Sequence, residues 1–250
     1  YYRNLVLALR GSHRCIVPDH IGCGLSDKPP TDAYPYTLAR RVEDLTALID
    51  SLDLDQPFTL VVHDWGGMIG TAYAVDQPDR IARMIVLNTS AFHLPKSKSF
   101  PAPLWLVRNT PLGAFLVRGL NGFVRGANRF CVTRHPMPKE VQALYAAPYN
   151  SWANRVAVLR FVQDIPLKPG DSGYDLVTHV QETVDVLSEK PMLICWGMKD
   201  FVFDHHFLAC WTERFPDAEV HRFDDCGHYI LEDAADEVIS LVQRFIAHSS

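Results

Sequence analysis

A chain of 250 residues, 48% hydrophobic and 21% charged, can bury a sizeable core, which excludes wholesale disorder. Its 24 Lys and Arg against 29 Asp and Glu leave a formal charge of −5, without the clustered basic charge that a nucleic-acid binder needs. The apolar runs are far too short to span a bilayer.

Short β-branched runs alternate with helical patterns, which predicts a mostly parallel sheet flanked by helices. Cys15-Ile16-Val17, closed by Pro18-Asp19, reads as the first strand. Over 36–54 the spacing is helical, with Leu38, Val42, Leu45, Leu48, Ile49 and Leu52 on one face. Residues 58–62 read as a buried strand running into His63-Asp64-Trp65-Gly66-Gly67, followed by a helix from near Met68 and a strand over 84–87. From about Ala91 prolines and glycines punctuate short amphipathic pieces and strands give out, which predicts a helical insertion. Strand 192–196, helix 206–215, strand 219–223 and a last helix then follow, with Asp233 as N-cap and Val238, Ile239, Val242 and Phe245 facing inward. The expected division is a core of 1–90 and 186–250 and a helical cap of 91–185.

The segment 60–67 carries the chemistry. A buried strand turns sharply into a helix, with glycines two and three places after a polar residue, the layout of a nucleophile elbow. The residue at its tip is Asp64. A hydroxyl there would first have to lose its proton, whereas a carboxylate with a reference pKa of about 4 is already ionised at neutral pH. It can displace a leaving group from saturated carbon or open a strained ring, becoming an ester. A histidine acting on water would break that ester. His228, in Asp225-Cys226-Gly227-His228-Tyr229, follows the last strand, and Asp200, in Gly197-Met198-Lys199-Asp200, follows the one before. Both loops then face the same sheet end as Asp64. Asp200 is preferred over Asp204 as the carboxylate that orients the imidazole, because it sits at the strand end. Asp224 and Asp225 read as solvated turn residues. The plain alternative for Asp64 is an N-cap in an ordinary strand-to-helix turn.

With these residues in place, nearly the whole chain resembles the α/β-hydrolase superfamily, in particular its haloalkane dehalogenase and epoxide hydrolase branch. Residues 17–29, Val-Pro-Asp-His-Ile-Gly-Cys-Gly-Leu-Ser-Asp-Lys-Pro, look like that branch's P-D-x-x-G-x-G-x-S-D-K-P loop, and His63 to Gly67 match its H-D-W-G-G elbow. The resemblance implies Asp64 as nucleophile, His228 as base, Asp200 as orienting acid, and Trp65 as anion binder through its indole N–H and oxyanion donor through its backbone N–H. Some relatives place the acid after the strand before the cap. That strand here ends Leu87-Asn88-Thr89-Ser90, with no carboxylate, which fits the first and third dehalogenase classes. In the insertion, 117–123, 147–152 and 160–167 look like the β-lactone decarboxylases of bacterial long-chain olefin biosynthesis, close kin of the third class. That implies a cis-β-lactone with two long alkyl chains as substrate, carbon dioxide and a cis-alkene as products, no cofactor and no metal. It also implies association with the β-lactone synthetase of the same pathway. A haloalkane dehalogenase is the alternative, then an epoxide hydrolase. A catalytically silent hydrolase-fold scaffold is disfavoured because all three triad residues are present.

The branch carries an H-G-N-P loop upstream of its first helix, and Tyr2-Arg3-Asn4-Leu5 looks like the start of that helix. The expectation is that N-terminal strands are missing and that this stretch alone is unstable or inactive. The six cysteines, at 15, 23, 131, 195, 210 and 226, show no C-x-x-C spacing and are expected as free thiols in a cytoplasmic protein. His205-His206 read as a surface loop with side chains pointing apart, His63 as a brace for the turn, and Trp105 and Trp152 as core residues. Arg118, Arg125, Arg129 and Arg134 read as a solvated face. Tyr145, Tyr149 and Tyr174 are the candidates that an epoxide hydrolase would need, with no spacing to mark a pair.

Overall fold

The computed structural model describes residues 1–248. Among them are four parallel strands, β1 (Phe58–Asp64), β2 (Ile81–Thr89), β3 (Met192–Gly197) and β4 (Glu219–Phe223), lying side by side in chain order. Alternate residues of the central strands feed two cores, as a period-two strand buried on both faces requires. Met84, Val86, Ile194 and Trp196 join one cluster, under α3 (Trp65–Asp76), and Ile85, Leu87, Leu193 and Cys195 join the other. The second face is covered by α1 (Arg3–Leu9) and by α12 (Ala235–His248), which turns Val238, Val242 and Phe245 inward.

Helix α2 (Leu38–Ser51) starts where Thr37 accepts the Arg40 N–H and buries Leu38 and Ile49. Between β2 and β3 run α4 (Ala102–Asn109), α5 (Pro111–Arg118), α6 (Gly122–Phe130), α7 (Lys139–Ala146), α8 (Val156–Gln163) and α9 (Tyr174–Thr183), with no strand among them. Helix α10 (His205–Arg214) links β3 to β4, and the short α11 (Ile230–Asp233) precedes α12.

Three expectations are corrected. Cys15-Ile16-Val17 is not a strand: among the described residues no neighbouring strand supplies it with a ladder, and Ile16 and Val17 stay 41% and 51% exposed. The helix expected near Met68 begins at Trp65, directly at the elbow. Asp233 caps nothing. Its buried carboxylate instead accepts the backbone N–H groups of Thr133, Arg134 and Gly227, tying the segment after α6 to the loop that carries His228.

Candidate active site

Asp64 is the last residue of β1 and stands at φ 50°, ψ −127°, a backbone state L-residues rarely adopt. Its side chain makes no capping bond to α3, so the carboxylate is left for other use. Close packing holds the turn. A Cβ on Gly67 would meet Thr89 Oγ1 at 1.9 Å and the Ser90 carbonyl at 2.7 Å, whereas one on Gly66 would meet nothing within 4 Å. The Thr89 hydroxyl donates to the Asp64 carbonyl.

The loops after β3 and β4 arrive at the same end. His228 Nδ1 lies 2.7 Å from Asp200 Oδ2, and His228 Nε2 lies 3.9 Å from Asp64 Oδ1. The Val202 and Phe203 N–H groups bind the other oxygen of Asp200, at 2.7 and 3.0 Å, so its carboxylate is fixed. A carboxylate on Nδ1 makes that nitrogen the N–H donor and turns Nε2 toward Asp64. Asp200 and His228 are buried, at 2% and 6% exposure. The Asp64 side chain is 46% accessible and lines a cavity of about 1250 Å³ whose walls are mostly apolar, including Leu116, Val117, Phe123, Val124, Val158 and Phe161.

Electrostatics follow from that setting. Burial pushes the Asp64 pKa up, the His228 charge pulls it down, Asp200 pushes it up again, and the Trp65 backbone N–H favours the ionised form; the net is a rise. Burial disfavours the His228 imidazolium, but Asp200 and Asp64 outweigh it and leave the pKa raised. His63 goes the other way: burial and the neighbouring His228 charge hold it well below its ordinary value. It is therefore neutral, and its Nε2 donates to the His228 carbonyl at 2.9 Å.

A model of the alpha/beta hydrolase fold family matches residues 1–235. The chain belongs to the α/β-hydrolase fold family. It is 58% identical over 249 residues to a cis-3-alkyl-4-alkyloxetan-2-one decarboxylase of Shewanella oneidensis, covering 100% of this chain and 78% of that protein. A protein of the same name from Xanthomonas campestris pv. campestris is 43% identical, over 98% of this chain and 83% of its own length. Haloalkane dehalogenase 2 of Mycobacterium bovis is 29% identical, over 98% and 82%. The crystal structure of haloalkane dehalogenase DatA from Agrobacterium tumefaciens C58 superposes with a TM-score of 0.86 at 21% identity, covering 100% of this chain and 85% of that one, a likeness of fold.

The hydrolase fold thus brings Asp64, Asp200, His228 and Trp65 to one cavity wall or directly behind it. Asp204 lies apart, capping α10 and bonded to Lys98 and His206. Asn88, at the end of β2, was not singled out as a functional residue. Its Nδ2 donates to Asp200 Oδ2 at 3.1 Å and to the Gly197 carbonyl at 3.0 Å, and its Oδ1 accepts the Gly197 N–H at 2.7 Å. The available signal was a polar Asn-Thr-Ser run closing an otherwise apolar strand.

Other readings change. The His205 and His206 rings do not point apart; their centroids are 4.0 Å from each other, beside Asp204, whose oxygens are already bonded. Trp105 and Trp152 are 54% and 49% exposed and belong to no core. Arg118 lies 4.7 Å over the Trp152 ring, and Arg134 binds Asp225 and Glu237, so those two arginines are docked. Asp225 is correspondingly held down at about 2 by its bonds to Arg134. Tyr145 and Tyr149 line the cavity, with the Tyr145 hydroxyl donating to Glu232, while Tyr174 stacks on His93 elsewhere. All six cysteines are free thiols. Among the described residues no helix is long and apolar enough to cross a membrane.

Proposed function

We propose that this hydrolase opens and decarboxylates cis-β-lactones bearing two long alkyl chains, with Asp64 as nucleophile, His228 and Asp200 as its charge partners, Trp65 at the anion end, and residues 91–185 as the cap over the substrate. The observation that carries the reading is an ionisable carboxylate, rather than a hydroxyl, at a positive-φ elbow that opens into an apolar cavity. The likeness to two alkyloxetanone decarboxylases supports the substrate class, since an oxetan-2-one is a β-lactone.

The chemistry balances without water. An Asp64 oxygen attacks the saturated ring carbon that bears the ring oxygen. That carbon–oxygen bond breaks, its electron pair stays on oxygen, and the product is an alkyl ester of Asp64 with a free carboxylate on the neighbouring carbon. The carboxylate then departs as carbon dioxide. Its carbon–carbon pair becomes the alkene bond and expels Asp64 as a carboxylate. Inversion in the first step and anti departure in the second return cis geometry. Before attack, the imidazolium of His228 favours the ionised form of Asp64 in surroundings that otherwise penalise it. Trp65 presents N–H donors where negative charge develops.

With a haloalkane the same carboxylate would release halide, and the ester would need water activated by His228. The test offers the enzyme a long-chain cis-β-lactone, a 1-haloalkane and an epoxide, and measures alkene, halide and diol separately. Alkene from the lactone, lost in Asp64→Ala, is the expected result. Halide release without alkene would make the protein a dehalogenase. Normal turnover by Asp64→Ala would remove the nucleophile altogether.

A further inference from the structure

Arg41, on α2, is 1% exposed, and its side chain lies behind the cavity wall rather than in it. Its guanidinium carbon sits 3.7 Å above the Phe161 ring centroid and 5.8 Å from that of Trp65. Its Nη1 donates to the Tyr36 carbonyl at 2.6 Å and lies 3.5 Å from Asp164 Oδ2. Asp164 directly follows α8, the helix that bears Phe161, as its C-cap, and also takes the Leu38 N–H and the Ser172 hydroxyl. Two further Arg41 donors, Nε and Nη2, have no hydrogen-bond partner among the described residues. A fold rarely strands donors of a buried cation, so their neighbour has to be accounted for. That neighbour is an aromatic face: Phe161 covers the guanidinium on one side and stands 5.2 Å, centroid to centroid, from Trp65 on the other. Both rings line the cavity, and Trp65 follows Asp64 directly.

We infer that Arg41 is a positioning residue for the reaction: pinned through Asp164 to the helix of Phe161, it sets where that ring stands against Trp65, and so where the substrate lies before Asp64. The inference rests on the reading of Asp64 and Trp65 given above. A planar, fully charged fork suits the task, because it can stack on a ring and meet a carboxylate at its edge together, which an ammonium cannot do.

The test uses Arg41→Met with Asp164→Asn, so that no unpaired carboxylate stays buried, alongside Arg41→Lys and Phe161→Leu. Folding is followed by circular dichroism and thermal unfolding, and kcat and KM for the β-lactone are measured separately. The expected result is a folded Arg41→Met/Asp164→Asn enzyme whose kcat/KM falls at least tenfold, mainly through KM, with partial recovery in Arg41→Lys. Phe161→Leu should cost a similar factor and add little to the Arg41→Met/Asp164→Asn loss. A folded double variant within twofold of the parent, or losses that multiply fully with Phe161→Leu, would overturn the inference. If the double variant fails to fold, Arg41→Lys and Phe161→Leu decide the question: unchanged KM in both would also overturn it. Asp64→Ala separates the two readings. Turnover retained there sinks the site itself, whereas its loss beside unaffected Arg41 variants sinks only the role of Arg41.

Discussion

Asp64 concentrates opposing demands in one side chain. It must be ionised to attack, yet apolar walls raise its pKa, and the charge of His228 brings it part of the way back. Removing that charge in His228→Gln should move the acid limb of the alkene-forming rate to higher pH, read from single-turnover rates across pH. The same variant should stop at the Asp64 ester with a haloalkane, visible as a mass increase on the peptide containing residue 64. Stability bears the opposite mark. A folded-state pKa raised above the ordinary 3.8 means that the native protein holds this proton more tightly than the unfolded chain does. Native stability therefore drops as pH climbs from 3.8 through the raised native value. Asp64→Asn, which cannot ionise, should unfold at a higher temperature than the parent near neutral pH, with the gap narrowing as pH falls toward 3.8. Equal unfolding temperatures at all pH values would show that the carboxylate is not penalised.

The elbow shows how an element is held by what crosses it. Gly67 has no room for a methyl group because Thr89 and Ser90 of the β2 end press against it, while Gly66 faces open space. Gly67→Ala should cost about 1–3 kcal/mol by overpacking and distort the turn. Gly66→Ala should be neutral or gain up to about 1 kcal/mol from helix propensity. Chemical denaturation of the two variants checks both signs. This difference was not legible in the sequence, where the two glycines look equivalent; it depends on a strand distant in the chain. β4, by contrast, was read residue for residue at Glu219–Phe223, and β3 to within one residue, the latter because a buried apolar run bounded by turn residues announces itself. Asp233 misled for a physical reason. An acidic residue before a periodic helix looks like a cap, but three backbone donors from two other segments claimed it first. Arg41 was unreadable for a similar reason: it falls on the apolar stripe of α2, three residues after Leu38 and four before Leu45, but nothing local marks the Tyr36 carbonyl, the Phe161 ring and the Asp164 carboxylate that receive its charge.

At the scale of the molecule, a sheet with its strands in chain order and all parallel delivers one residue of interest from each strand end: Asp64, Asn88, Asp200 and His228. Local pattern and family likeness were enough to find three of them. The fourth is an amide whose importance appears only once β2 and β3 pair and bring residue 88 against residue 200. Asn88 and His228 meet at the same oxygen of Asp200, at 3.1 and 2.7 Å. The head groups of 88 and 200 differ only by NH₂ for O, so exchanging them would hand the negative charge from one strand end to its neighbour at constant net charge. Asn88→Asp combined with Asp200→Asn should therefore recover turnover that Asp200→Asn alone has lost, measured as alkene formed per enzyme; no recovery would mean that residue 88 cannot serve the imidazole. A lineage could thus relocate its acid through two single-residue changes without rebuilding a loop, and an ancestor carrying a carboxylate at both places would be a passable halfway house.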